Sequence, residues 1–337
     1  MLKAAIIGFG SISRSHRKEY LKLEQLGKVK LVCAYDVDPD AFSRVVKNNL
    51  ENPSKALPEK IRYYTDLDEM LEKEEIDFVD ICVPSYWHSE MSVKLLKRGY
   101  HVLCEKPMAL HYSDCLAMIE AAKEADKELM IGQCLRFYPA FDEIKRIIDQ
   151  ERFGALQGAF FSRLNPLPTW GWKNWFADPA LSGGGVTDFH VHDIDILRYL
   201  LGEPDAVSSR GTSSFSLYDA LHTSLFYGKI PVTVISDWTH MGIPFSAGCY
   251  FNFEKATVVF DSSSLTVAHK KTGEREEIPL EQKSGYFGEI SYFCDVIEGK
   301  IQNTKNPASS AALSIRLIET IKKSADANGE VLEYSID

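Results

Sequence analysis

The sequence has no long apolar run, no CxxC pair and no block of positive charge, and each absence removes a class of protein. No stretch approaches the roughly 20 apolar residues that a membrane-spanning helix needs, so no membrane is expected as a partner. The opening "MLKAAIIGFG" passes straight into a strand-like pattern and lacks the cleavage region of a signal peptide. The seven cysteines, Cys33, Cys82, Cys104, Cys115, Cys134, Cys249 and Cys294, are odd in number and scattered. Cys33, Cys82 and Cys104 sit inside apolar runs, so they read as buried free thiols in a reducing cytoplasm. Lys and Arg number 38 against 48 Asp and Glu, a net charge of −10. That balance argues against nucleic acid or an anionic surface as the main partner. There is also no internal repeat and no low-complexity segment.

What is present fits a soluble globular chain. With 337 residues, 45% of them hydrophobic, it is too long for one ordinary core and suits two domains. Over the first 130 or so residues, short apolar runs alternate with amphipathic stretches. The strand candidates are 2–8, 29–36, 77–83, 101–105 and 128–133, and helical patterns start near Ile12, Pro39, Asp66, Trp87 and Tyr112. Strands apolar on both faces imply a parallel sheet covered on both sides, hence a doubly wound α/β domain over 1–133. After about residue 150 the texture changes. "GALQGAFFSRL" (154–164) reads as a strand, and β-branched and aromatic runs from Asp205 to about Val267 read as an antiparallel sheet. Two helices near 285–298 and 308–327 close an α+β second domain spanning 134–337.

"GFGSIS" (8–13) directly follows the first strand and opens the first helix. Gly8 permits a tight turn and Gly10 lets backbone approach a pyrophosphate, while the helix start at Ser11 and Ile12 offers N–H groups and a positive dipole end. Ser13 replaces the usual third glycine but is still small. Phe9 lies between the glycines. Asp36 ends the second strand, where an acid can hold a ribose 2′-hydroxyl and would repel a 2′-phosphate. No Arg or Lys follows before Arg44, so NAD is favoured over NADP. The alternatives are a structural tight turn at Gly8–Ser13, and an Asp36 that merely starts the turn "DVDPD".

"GGGVTDFHVHDID" (183–195) packs two histidines and three aspartates behind a glycine triplet. On one helix at about 100° per residue, Asp188, His192 and Asp195 fall within about 60° of one another, with Tyr199 on the same side. His190 and Asp193 point the opposite way, toward core hydrogen bonds or the interdomain seam. Apolar residues cover most of the remaining circumference. A polar stripe on a buried helix must be hydrogen-bonded or face a cavity. A metal would need three or four converging ligands. The two histidines diverge and no cysteine pair or second histidine-rich segment completes a set, so no metal is expected.

Two further stretches complete a pattern. "VPSYWH" (83–88) and "CEKPMAL" (104–110) follow two of the parallel strands, and with Gly8–Ser13, Asp36 and "GGGVTDFHVHD" they resemble the glucose–fructose oxidoreductase / inositol dehydrogenase family (Gfo/Idh/MocA). The likeness runs on through "GQCLRFYPAF" (132–141) to the closing helices. It implies an N-terminal Rossmann domain, a C-terminal domain with a large, mostly antiparallel sheet, and NAD(P)-dependent oxidation or reduction of a secondary carbinol in a sugar, inositol or related polyol. It also implies homodimers or homotetramers. Carried onto this chain, the family's catalytic lysine is Lys106 and its aspartate–histidine pair is Asp188 and His192. Pro84, His88, Glu105 and Lys106 match cofactor-side positions, and Arg136 and Trp172 match substrate-side ones more loosely. Ser13, Ser85 and Phe189-His190 depart from the commoner family residues, and the last pair bears on the substrate.

The chemistry suits these residues. Oxidising a secondary alcohol releases a hydride and a hydroxyl proton. A histidine near neutral pKa is a natural base. Asp188 can orient that imidazole or grip a neighbouring hydroxyl, and Lys106 can stabilise the developing alkoxide. Trp170, Trp172, Trp175 and Phe176 either stack on a sugar face or cap the domain junction. Two rival readings stand beside the dehydrogenase. One is a nucleotide- or sugar-sensing regulator on the same fold, and the other is lyase-type chemistry through transient oxidation on a retained NAD.

Overall fold

The computed structural model describes residues 1–44, 61–261 and 263–336, and their contacts gather into two compact units. The first begins with β1 (Leu2–Ile7), α1 (Ser11–Gln25), β2 (Val29–Tyr35), β3 (Arg62–Tyr64), α2 (Leu67–Lys73), β4 (Phe78–Ile81), α3 (His88–Lys97), β5 (His101–Glu105), α4 (Tyr112–Ala125) and β6 (Leu129–Gly132). The six strands run parallel in the order β3-β2-β1-β4-β5-β6, so the order reverses between β1 and β4, as in a doubly wound fold. Their composition accounts for this. Ala4–Ile7 in β1, Val102–Cys104 in β5 and Phe78, Val79 and Ile81 in β4 are fully buried, which only a sheet covered on both faces requires. All five strands expected here form. β3, "RYY", is an addition, too short and polar to announce itself. The helical pattern expected from Pro39 is a single 3₁₀ turn, Pro39–Phe42, and any continuation beyond Arg44 lies outside the described residues.

The chain then builds α5 (Pro139–Asp149), β7 (Leu156–Leu164), α6 (Pro179–Ser182), α7 (Gly184–Asp188), α8 (Val191–Leu201), β8 (Ala206–Thr212), β9 (Ala220–Tyr227), β10 (Ile230–Asp237), β11 (Ser246–Phe253), β12 (Ala256–Phe260), β13 (Leu265–His269), β14 (Arg275–Ile278), α9 (Gly285–Ile297), α10 (Ala308–Asp326) and β15 (Leu332–Glu333). The second unit is organised on a nine-stranded sheet, β14-β13-β12-β11-β7-β10-β9-β8-β15. Only the β7–β10 pair is parallel; the other pairs are antiparallel. The strands alternate as a sheet covered on one face should. In β11, Cys249, Phe251 and Phe253 are buried while Tyr250 and Asn252 are exposed. α7 lies against β9 and β10 on the covered face.

A division into 1–133 and 134–337 does not contain the whole organisation. The chain leaves the first unit at Cys134 but rejoins it at 170–175 and 284–315. The physical reason lies in α9. Ser284 caps it by accepting the Phe287 N–H. Its Phe293 ring meets Phe78 edge-on at 5.4 Å, and Lys28 Nζ reaches Asp295 at 2.7 Å. These partners all belong to the doubly wound unit, so α9 covers that sheet rather than the nine-stranded one.

Candidate functional site

The nucleotide end is built by three strand termini of the first unit. Gly8 has φ +91°, and a Cβ there would lie 2.8 Å from Val83 N and from Val83 Cγ1. The turn thus needs glycine both for its backbone and for the close approach of the chain leaving β4. Gly10 is different: a Cβ there would meet nothing within 4 Å. Its bare backbone leaves open space at the start of α1, and Gly10 brings no side-chain cap to that helix. Asp36 closes the turn from the end of β2, where one carboxylate oxygen accepts the Phe9 N–H at 2.6 Å and the other the Asp38 N–H at 2.9 Å. Ser13 is buried, its hydroxyl bonding back to Gly10 O at 2.9 Å. An open backbone cradle, a helix N-terminus and a carboxylate fit a dinucleotide.

Beyond β4 and β5 the chain is tied together from inside. His88 Nδ1 lies 2.7 Å from Pro107 O and Nε2 2.9 Å from Val83 O, so one ring links both loops. Two carbonyls would welcome a doubly protonated ring, but burial outweighs them and holds the His88 pKa below its usual value. The neutral ring therefore donates to one carbonyl at a time. Pro84 leads into the 3₁₀ turn Ser85–Trp87. Lys106 is half-buried just past β5, and the bond joining it to Pro107 is cis. Glu105, a cofactor-side position by resemblance, turns inward. Its Oε2 accepts the Lys106 N–H at 3.0 Å and its Oε1 lies 2.7 Å from His16 Nε2.

Sequence reasoning does not single out His16, nor its other neighbours Asp80 and Glu289. The signal available is Asp80, a lone acid inside the apolar run "DFVDICV". A charge there is costly unless a partner waits in the core.

In the second unit the glycine triplet is explained by a close approach. Gly183 and Gly184 have φ +73° and +76°, and a Cβ on Gly184 would lie 2.3 Å from Leu217 O. One on Gly185 would lie 2.6 Å from Tyr218 O. The glycines admit the 213–219 loop, which Asp219 gathers by accepting the N–H groups of Ser214, Phe215 and Ser216.

The expectation of one continuous helix over 188–195 needs correction. α7 ends at Asp188 and α8 starts at Val191. Gly185 O accepts from both Phe189 N at 3.1 Å and His190 N at 3.0 Å, so the turn takes in one extra residue. A wider turn of this kind shifts the angular phase of the next helical turns, and a uniform wheel does not carry across it. Asp188 is buried at the end of α7 and His192 is half-buried in the first turn of α8. Asp195 is engaged in the interior, accepting from Arg136 Nε at 2.8 Å and Nη2 at 2.7 Å. Arg136 is itself only 1% exposed, with its guanidinium 5.3 Å from the Tyr199 ring centre.

His190 and Asp193 serve the core. The His190 nitrogens meet Ser236 Oγ at 2.7 Å and Thr223 Oγ1 at 2.9 Å, and burial pushes its pKa down to about 3. Asp193 takes a bidentate grip from Arg163, both contacts at 2.8 Å. Of the aromatic stretch, Phe176 packs edge-on to the buried Trp238 at 6.1 Å. Trp172 is partly exposed, with Lys173 Nζ 4.2 Å from its ring centre.

A doubly wound sheet with an open glycine turn and an acid at the second strand's end defines a dinucleotide-binding α/β protein. Residues 2–133 match the oxidoreductase family with an NAD-binding Rossmann fold, and residues 141–280 match the GFO/IDH/MocA C-terminal domain. The chain belongs to the Gfo/Idh/MocA family. A scyllo-inositol 2-dehydrogenase (NADP(+)) of Bacillus subtilis is 27% identical over 314 residues, covering 87% of this chain and 92% of that protein. A 2,7-anhydro-N-acetylneuraminate hydratase of Escherichia coli is 30% identical over 189 residues, covering 54% of this chain and 46% of its own. For that hydratase and several other curated relatives, the match spans only about half of the relative's length. A levoglucosan dehydrogenase, solved with NADH and levoglucosan, shares the fold at a TM-score of 0.83 with 18% identity, over 98% of this chain and 99% of that one. No helix among the described residues is long and apolar enough to cross a membrane.

Proposed function

We propose that the protein is an NAD-dependent dehydrogenase acting on a secondary carbinol of a cyclic polyol or sugar. The observation that carries it is the open Gly10 cradle beside Asp36, on the same unit that presents Lys106 past the end of β5. When bound, NAD supplies the hydride acceptor. Lys106 stabilises the alkoxide, His192 takes the hydroxyl proton and Asp188 orients that imidazole. Pro84 and His88 hold the cofactor-side loop, with His88 working through the Val83 and Pro107 carbonyls. Arg136 is assigned to holding α8 through Asp195, and Trp172 to the face of the substrate ring.

NAD is favoured over NADP because Asp36 would repel a 2′-phosphate, and because Arg44 is paired with Asp38 while Arg14 Nη2 is given to the Ala41 and Arg44 carbonyls. A second copy of the chain is assigned to the uncovered sheet face, where Phe160 and Tyr250 stand 6.2 Å apart and exposed. The protein then works as a homodimer or homotetramer, in a cytoplasm that keeps its seven buried cysteines free.

A second reading, elimination or hydration through transient oxidation on a retained NAD, is supported by the likeness to the hydratases. The test is NADH formation on mixing the protein with NAD and a panel of inositols, aldoses and sugar acids, with Lys106→Met alongside. Lysine-dependent NADH supports the dehydrogenase. Product without net NADH supports the retained-cofactor reading, and full turnover by Lys106→Met overturns both.

A further inference from the structure

Under the β4 and β5 ends lies a charged cluster shut off from solvent. His16 from α1 is 0% exposed, as are Asp80 from β4 and Glu289 from α9, and Glu105 from β5 is 5% exposed. His16 Nδ1 lies 2.8 Å from Asp80 Oδ2, and its Nε2 lies 2.7 Å from Glu105 Oε1. Tyr20, on the helix that carries His16, donates its hydroxyl to the same Asp80 oxygen at 3.0 Å. Cys82 Sγ sits 3.6 Å from the other Asp80 oxygen. α9 closes the cluster with Glu289 Oε1 at 3.7 Å from His16 Nε2 and the Tyr286 ring at 5.2 Å from the imidazole.

Counting charges decides the protonation. Two carboxylates at hydrogen-bond distance from the two ring nitrogens require both nitrogens to donate, so His16 is an imidazolium. Burial by itself would lower its pKa, but Asp80 and Cys82 carry it well above the usual value. One imidazolium offsets a single negative charge, so beside Asp80 and Glu105 a third buried carboxylate has nothing to balance it. Glu289 has no hydrogen-bond partner on either oxygen among the described residues. Its burial, with Glu105 and Asp80 nearby, holds its pKa well above the usual range, so it is the neutral acid.

The consequence runs through Glu105. One of its oxygens is held by His16 and the other accepts the backbone N–H of Lys106. We propose that His16 is a positioning residue for Lys106: clamped between Asp80 and Glu105, it fixes the carboxylate that holds the Lys106 main chain. This rests on the reading of Lys106 as catalytic, although the placement of the lysine can be measured without turnover.

The lysines of the protein, saturated with NADH, are reductively dimethylated with ¹³C-formaldehyde and dimethylamine–borane as the hydride donor. The Lys106 methyl resonance is identified by its loss in Lys106→Met. In folded His16→Gln the resonance is expected to move and its titration midpoint to shift by at least about half a pKa unit, a threefold change in ionisation. In a Glu105→Gln background the same substitution is expected to add nothing, because the relay is already cut. Should His16→Gln fail to fold, Asp80→Asn, which loosens the clamp from its far side, gives the same reading. A variant that melts earlier while the Lys106 resonance and midpoint stay native overturns the proposal. So does a resonance in the native protein that moves with ZnCl₂ and returns with EDTA, which would place a metal among His16, Glu105 and Glu289 instead. Failure of the catalytic reading shows separately, as turnover surviving in Lys106→Met.

Discussion

Arg136 and Asp195 meet fork to fork inside the second unit, through bonds of 2.8 and 2.7 Å, and both are almost fully buried. A buried pair of this geometry loses more from removal of one partner than of both, because the survivor keeps its desolvation cost. Arg136→Leu alone is expected to lower stability by about 3–5 kcal/mol. The double substitution Arg136→Met with Asp195→Leu is expected to recover a good part of that loss. Urea unfolding of the singles and the double checks this; additive losses would contradict it.

Gly184 is required by its neighbour as much as by its backbone. In Gly184→Ala the new Cβ would start 2.3 Å from Leu217 O, at φ +76°. Overpacking against backbone, added to the left-handed conformation, is expected to cost about 3 kcal/mol. Gly10→Ala, with open space around it, is expected to leave stability within about 0.5 kcal/mol while weakening NADH binding. Thermal melts with and without NADH separate the two cases.

His190 makes acid sensitivity predictable in sign. Its folded pKa is near 3, against 6.5 for an ordinary histidine. Between those values the unfolded chain binds a proton that the folded chain refuses. Stability therefore falls as pH drops through that window, by up to about 1.4 kcal/mol per pH unit, and is fully present above it. His190→Gln is expected to be less stable at pH 7 but to show a flatter dependence between pH 6 and 4. An unchanged slope would show that other groups govern acid unfolding.

Asp36 anchors the glycine turn through the Phe9 N–H. Asp36→Asn keeps the shape but loses the charged acceptor, and NAD affinity is expected to fall about tenfold, roughly 1.4 kcal/mol. NADP is expected to lose less or to gain, since the repulsion is gone. Titration calorimetry with both cofactors measures the ratio, and an equal loss for both would remove Asp36 as the selector.

The first unit was the more legible half. Its strands are apolar on both faces, so periodicity and turn chemistry pointed to Gly8, Gly10 and Asp36, while Lys106 came only through the family resemblance. The α7–α8 break was not legible, because the extra residue at Phe189-His190 goes with three glycines packed under the 213–219 loop, some thirty residues further along the chain. Asp195 shared a wheel face with Asp188 and His192, yet Arg136 claims it, and nothing in the spacing names that partner.

By itself the sequence determined five strands of the doubly wound sheet and where the nucleotide turn falls, because these follow from local periodicity and from a glycine at position 8 where only glycine fits. Only the tertiary structure decided that α9 returns to the doubly wound sheet and brings Glu289 to His16. It alone also decided that Glu105 turns inward. The pairing of buried charges depends on which residues meet in the core, and the order of residues along the chain does not contain that.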